Sequence, residues 1–142
     1  MNKSVVISGG SQGIGKALVK KFLAEQFTVF TCSRSQAKLD ALAAELANDR
    51  LHTFAADLSQ KNQVLDFANW VLKQTNQIEV LVNNTGVFIP GQIQNEAEDL
   101  LEKTIETNLY SAYHLTRALL HVFQGQKSGH IFSICSTASI TA

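Results

Sequence analysis

Proline is almost missing from this chain: Pro90 stands alone in 142 residues. There is no repeat, low-complexity tract or flexible linker either, so nothing divides the sequence, and its length suits a single domain over residues 1–142. Cysteine is scarce. Cys32 and Cys135 lie far apart in no metal-ligand pattern, which points to reduced thiols in a cytoplasmic protein; Cys135 is expected to be a buried, inert thiol. His52, His114, His121 and His130 form no ligand spacing, so they read as structural or exposed, and no metal is expected. Neither sign of charge is in excess, with 12 Lys and Arg against 12 Asp and Glu and a sequence pI near 6.9. A nucleic-acid or membrane surface would need a basic bias, so neither partner is expected. No apolar run approaches a membrane span. Met1-Asn2-Lys3-Ser4 leads straight into a strand pattern, with no signal peptide in view.

What the chain does have is alternation. Short β-branched runs at 5–8, 27–31, 51–55, 78–82 and 130–135 read as strands. Between them, helices are expected at 14–25, at 36–47, around Val64, Phe67, Ala68, Val71 and Leu72, and over a long stretch, 96–123. In the second helix Leu39, Leu42, Ala43, Leu46 and Ala47 share one face. In the last, Leu101, Ile105, Asn108, Ala112, Leu115 and Leu119 form one stripe. Strand–helix alternation implies right-handed crossovers and a parallel sheet covered on both sides. The expected fold is α/β, a doubly wound, Rossmann-like parallel sheet of order 3-2-1-4-5, whose ligand crevice opens at the carboxyl ends of strands one and four.

Glycine is concentrated at one of those ends. Gly9-Gly10-Ser11-Gln12-Gly13-Ile14-Gly15 lies between the first strand and the first helix. Strand, glycine turn and helix together hold a dinucleotide pyrophosphate: the backbone can come close, and free N–H groups and the helix dipole attract the anion. The end of strand two lacks something too. Thr31-Cys32-Ser33-Arg34-Ser35 contains no acid to bind a ribose 2′-hydroxyl, whereas Arg34 can hold a 2′-phosphate. NADP is therefore expected over NAD.

The glycine spacing is joined by Asp57-Leu58 after strand three, Asn83-Asn84-Thr85-Gly86 after strand four, Asn108 in the long helix and Ser136 after strand five. In order and spacing the whole chain resembles the short-chain dehydrogenase/reductase family, in its compact single-domain form. Thr85 departs from the family's usual alanine. The family's Tyr-x-x-x-Lys pair would fall about a dozen residues past Ser136, beyond Ala142, so the chain is expected to be the N-terminal cofactor portion of a longer enzyme. A dinucleotide-binding module without turnover is the alternative.

The resemblance implies roles residue by residue. Gly9, Ser11, Gln12, Gly13, Ile14 and Gly15 would cradle the pyrophosphate, with Ser33 and Arg34 at the adenosine ribose. Many NADP-binding members carry a basic residue where this chain has Gln12. Asp57 would contact the adenine amino group and Leu58 line its pocket, although Asp57, or equally Ser59, could simply cap the next helix. Asn84, Thr85 and Gly86 would pass beneath a ribose, while Asn83 braces neighbouring strands. Asn108, a polar amide in an apolar stripe, would need its hydrogen bonds met; the resemblance supplies a backbone kink and a water leading to the catalytic lysine. Ser136, among the neighbouring hydroxyls Ser133, Thr137 and Ser139, would hold the substrate carbonyl. The implied activity is hydride transfer between NADP(H) and a small-molecule carbonyl or alcohol. The implied assembly is a homodimer or homotetramer built through the long helix, with Tyr110, Tyr113 and Phe123 as contact residues.

Overall fold

The computed structural model describes residues 3–137. Five strands, β1 (Ser4–Ser8), β2 (Thr28–Ser33), β3 (Leu51–Ala55), β4 (Val80–Asn83) and β5 (His130–Ser133), form one parallel sheet in the order β3-β2-β1-β4-β5. This is the expected doubly wound order, with the strand sequence reversing direction beside β1. Register is continuous across the centre, with Val6 opposite Phe30 on one side and Leu81 on the other.

The period-2 geometry of a strand divides the apolar residues of β1 between two layers. Val5 and Ile7 face α1 (Gly13–Ala24) and α2 (Gln36–Leu46), packing with Val19, Leu23 and Leu42. Val6 belongs to the opposite layer, with Phe67 and Val71 of α3 (Lys61–Leu72) and Leu115 and Leu119 of the last helix. Phe67 is fully buried; truncating such a residue to alanine costs about 3–5 kcal/mol. Phe123 also sits in this layer, only 8% exposed. The expectation that it forms an intersubunit contact is therefore corrected: Phe123 is spent on the core.

The long helix differs from its expected form. It begins at Leu100, not at residue 96, and runs as α4 (Leu100–Ile105), a π-helical turn (Glu106–Tyr110) and α5 (Ser111–Gln126). The π turn inserts an extra residue per turn and rotates the faces before and after it. The expected stripe holds at Leu115 and Leu119 but fails before the turn for that reason. Leu101 and Ile105 are exposed, and burial passes instead through Thr107, Ser111, Leu115 and Leu119. The Ser111 hydroxyl donates to the Thr107 carbonyl at 2.6 Å within the distorted turn. The expectation of strands buried on both faces holds for β1 and β4 but fails at both edges: β3 has no buried residue, and β5 is exposed along its length with no outer neighbour among the described residues. It also ends at Ser133, two residues short of the expected end. Among the described residues no helix is long and apolar enough to cross a membrane, and no group of three or more His, Cys, Asp or Glu could hold a metal ion.

Candidate functional site

A cavity of about 800 Å³ opens at the carboxyl ends of β1, β2 and β4. The glycine loop and the start of α1 supply Gly9, Ser11, Gln12, Gly13 and Ile14 to its wall. The chain after β2 adds Ser33, Arg34, Ser35 and Lys38, and the chain after β3 adds Asp57 and Leu58. Asn84, Thr85, Gly86 and Val87 follow β4, and the wall closes with Asn108 and Ser136. Every residue singled out from the sequence for cofactor or substrate lines this one cavity, except Gly15.

Gly15 lies behind the wall. A Cβ there would overlap the Gly9 carbonyl oxygen and lie 2.6 Å from Asn84 Nδ2, so only glycine lets α1 pack this tightly on the loop. Gly13 has the reverse surroundings. Its φ is +55°, and a Cβ would meet no protein atom within 4 Å, which leaves bare backbone toward the cavity. No side chain caps α1, and its first turn carries no acid. An anion can therefore approach these amides without displacing anything the protein supplies.

Hydrogen bonds hold the loop to the sheet. The Ser8 hydroxyl accepts from the N–H groups of Asn84 and Thr85, both at 2.9 Å. Asn84 Nδ2 donates to the carbonyls of Ser8 and Gly9 at 3.0 and 3.1 Å. Bracing between strand ends thus falls to Ser8 and Asn84. Asn83 instead donates from Nδ2 to Thr116 Oγ1 of α5 at 2.9 Å, correcting the expectation that it ties strand to strand. Thr85 Oγ1, the hydroxyl added at the family's alanine position, is buried with no hydrogen-bond partner among the described residues.

At the other end of the cavity Ser11 donates to Ser33 Oγ at 2.8 Å, joining the loop tip to β2, which runs two residues past its expected end. Ser35 caps α2 by accepting from the Lys38 N–H at 3.3 Å. Lys38 Nζ in turn donates to Gln12 Oε1 at 2.7 Å. Sequence reasoning missed Ser8 and Lys38. Both are identified only by which chain segments meet, although Lys38 does follow Arg34 by four residues in the sequence.

Asp57 accepts from the backbone N–H and hydroxyl of Ser59 at 3.0 and 2.8 Å, closing a short Asx turn. Gln63 reaches back to accept from the Asp57 N–H at 2.7 Å. Neither Asp57 nor Ser59 occupies the cap position of α3; Gln60 does, without a side-chain cap bond.

Asn108, in the π turn, is exposed and not held in an apolar stripe. Both ends of its amide are engaged: Oδ1 accepts from the Val87 N–H at 2.7 Å, and Nδ2 donates to the Val87 carbonyl at 2.8 Å. Cys32 beneath the loop is buried, and burial pushes its thiol up to about 12 against an opposing hydrogen bond from the Gly9 backbone. Cys135 is exposed, which corrects the expectation of a buried thiol next to Ser136; β5 has ended two residues earlier and nothing covers it among the described residues. Ser139 lies outside the described residues.

Comparisons with known proteins give the same picture. The family described as short chain dehydrogenase matches residues 3–142. An uncharacterized oxidoreductase, YvrD, from Bacillus subtilis is 33% identical over 97% of this chain and 52% of its own length. Among solved structures, a short-chain dehydrogenase from Streptomyces avermitilis superposes with a TM-score of 0.92 at 28% identity, covering 100% of this chain and 52% of that one. A metagenomic short-chain oxidoreductase in complex with NADP reaches a TM-score of 0.87 at 32% identity, covering 94% and 62%. The chain spans about half the length of the curated relatives it matches. With the family match running over residues 3–142 and the fold shared with solved short-chain dehydrogenases, the chain belongs to the short chain dehydrogenase family.

Proposed function

We propose that the protein of which this chain forms the cofactor-binding portion is an NADP-dependent oxidoreductase interconverting a small-molecule carbonyl and its alcohol. The observation that carries this reading is the single cavity in which the bare amides at Gly13, the cation Arg34 and the hydroxyl of Ser136 share one wall. The residues present fit a phosphorylated dinucleotide: an uncapped helix start for the pyrophosphate, and at the end of β2 a guanidinium where a carboxylate would repel a phosphate. The NADP held by the metagenomic relative supports the same choice.

Gly9, Ser11, Gln12, Gly13 and Ile14 would hold the pyrophosphate, with Gly15 allowing the loop its shape. Ser33 and Arg34 would take the phosphorylated ribose, Asp57 and Leu58 the adenine, and Asn84, Thr85 and Gly86 the ribose beside the nicotinamide. Bound there, the nicotinamide supplies or accepts the hydride. Ser136 orients and polarises the substrate carbonyl oxygen by donating a hydrogen bond, a positioning task that needs no neighbouring base. Asn108 holds the chain after β4 through Val87 and so sets the wall facing the substrate. The proton donor would come from the Tyr-x-x-x-Lys pair that the family resemblance implies beyond residue 142. We assign the protein to the cytoplasm and to a homodimer or homotetramer, for which the exposed Tyr110 and Tyr113 offer an apolar face.

The test is a fluorescence titration of the full-length natural protein with NADPH and NADH, followed by a panel of ketones and aldehydes monitored by NADPH consumption. Tighter binding of NADPH with turnover of at least one carbonyl is expected. Preference for NADH would overturn the cofactor assignment. NADPH binding without turnover, in a protein whose intact mass is 15.5 kDa, would favour a binding module.

A further inference from the structure

Four lysines stand on α1 and α2, and three of them are neutralised. Lys16 and Lys20 both reach Glu45, at 2.5 and 2.7 Å, and Lys21 pairs with Glu25 at 2.7 Å. Lys38 is not neutralised. Its ammonium donates to the uncharged amide of Gln12 across the cavity mouth and meets no carboxylate among the described residues. Arg34 has no ion pair there either. The wall's one described carboxylate, Asp57, is engaged with Ser59. One end of the cavity therefore carries two cations without counter-ions, flanked by the hydroxyls of Ser11, Ser33 and Ser35. The position of Lys38 does nothing for its own helix. It sits in the first turn of α2, where the helix dipole disfavours a cation.

We propose that Lys38, steered by Gln12, is a second cofactor-selecting cation that acts with Arg34 on the ribose phosphate. This rests on the NADP reading above and adds a residue to it. Gln12 brings no charge of its own to the loop; the charge comes from α2 and Gln12 positions it. A flexible ammonium loses less entropy on binding when one of its donors is already engaged, and its two remaining donors stay free for phosphate oxygens. A phosphate monoester near −2 is matched by two cations in a way that a ribose hydroxyl is not.

The experiment measures Kd for NADPH and NADH in the full-length protein, for the wild type, Lys38→Gln, Gln12→Leu and the double variant Gln12→Lys/Lys38→Gln. Lys38→Gln should weaken NADPH about tenfold while leaving NADH within about twofold. Gln12→Leu should weaken NADPH selectively but less than Lys38→Gln does, because the charge remains and only its side-chain steering is lost, while the loop backbone that would hold the pyrophosphate of both cofactors is unchanged. The double variant should recover NADPH preference, since it returns a cation to the same end of the cavity. The preference should also shrink as ionic strength rises. If Lys38→Gln weakens both cofactors equally, or neither, Lys38 has no selecting role even though the NADP reading stands. If the wild type itself prefers NADH, the NADP reading fails first. A melting midpoint for Lys38→Gln close to the wild type distinguishes lost selectivity from lost fold.

Discussion

Asn108 and Val87 are joined by two opposed hydrogen bonds, so that one side-chain amide satisfies both backbone polar groups of a residue 21 positions earlier. The grip links the π turn to the segment that follows β4 in the cavity wall. Replacing Asn108 with alanine leaves two backbone groups to solvent. It should cost only ~1 kcal/mol of stability, because the site is exposed. Turnover should fall by about tenfold or more, since small displacements of a positioning segment are amplified in rate. Asn108→Asp keeps the acceptor and loses the donor, so it should fall between the two. Thermal melts together with kcat of the full-length enzyme check this; a stability loss without a rate loss would remove Asn108 from the positioning machinery.

Two glycines should respond oppositely to alanine. At Gly15 the new methyl collides with the Gly9 backbone, so the loop and helix must separate; the expected cost is ~2 kcal/mol or more, with loss of NADPH binding. At Gly125, inside α5, a Cβ meets nothing within 4 Å and the backbone is helical. Alanine there should raise stability by ~0.5–1 kcal/mol. Paired denaturant melts decide both.

Hydrogen bonds from Lys16 and Lys20 hold the Glu45 carboxyl at about 2, down from 4.5. A carboxyl whose pKa is lower in the folded state stabilises the fold above its unfolded value and loses that contribution as pH falls through the folded value. Stability should therefore decline as pH drops from about 4.5 toward 2, and Glu45→Gln should make that decline shallower. The effect should be small, because the pair is exposed and screened by salt. Melting midpoints across this pH range provide the comparison.

Cys32 predicts the alkaline side. Burial raises its thiol from 9.0 to about 12. A raised group contributes its full stabilisation below the unfolded value and loses it as pH climbs toward the folded one. Stability should thus fall between about 9 and 12, less steeply in Cys32→Ala. Iodoacetamide at neutral pH should label the exposed Cys135 in the native chain and reach Cys32 only in denaturant, which peptide mass mapping would report.

The sequence alone determined the order of strands and helices and the parallel sheet, because doubly buried strands and amphipathic helices write their periods into the residue pattern. It also marked the glycine loop and more than half of the residues that meet in the cavity, since turns at strand ends demand particular residue types. The path of the long helix was not legible. The π turn places the buried Thr107 and Ser111 where a stripe assuming 3.6 residues per turn does not, because such a stripe cannot anticipate one extra residue. The same holds for contacts between segments distant in the chain. Ser8 with Asn84, Asn108 with Val87 and Lys38 with Gln12 carry no periodic signal, because each partner is chosen by where the sheet brings the two segments together.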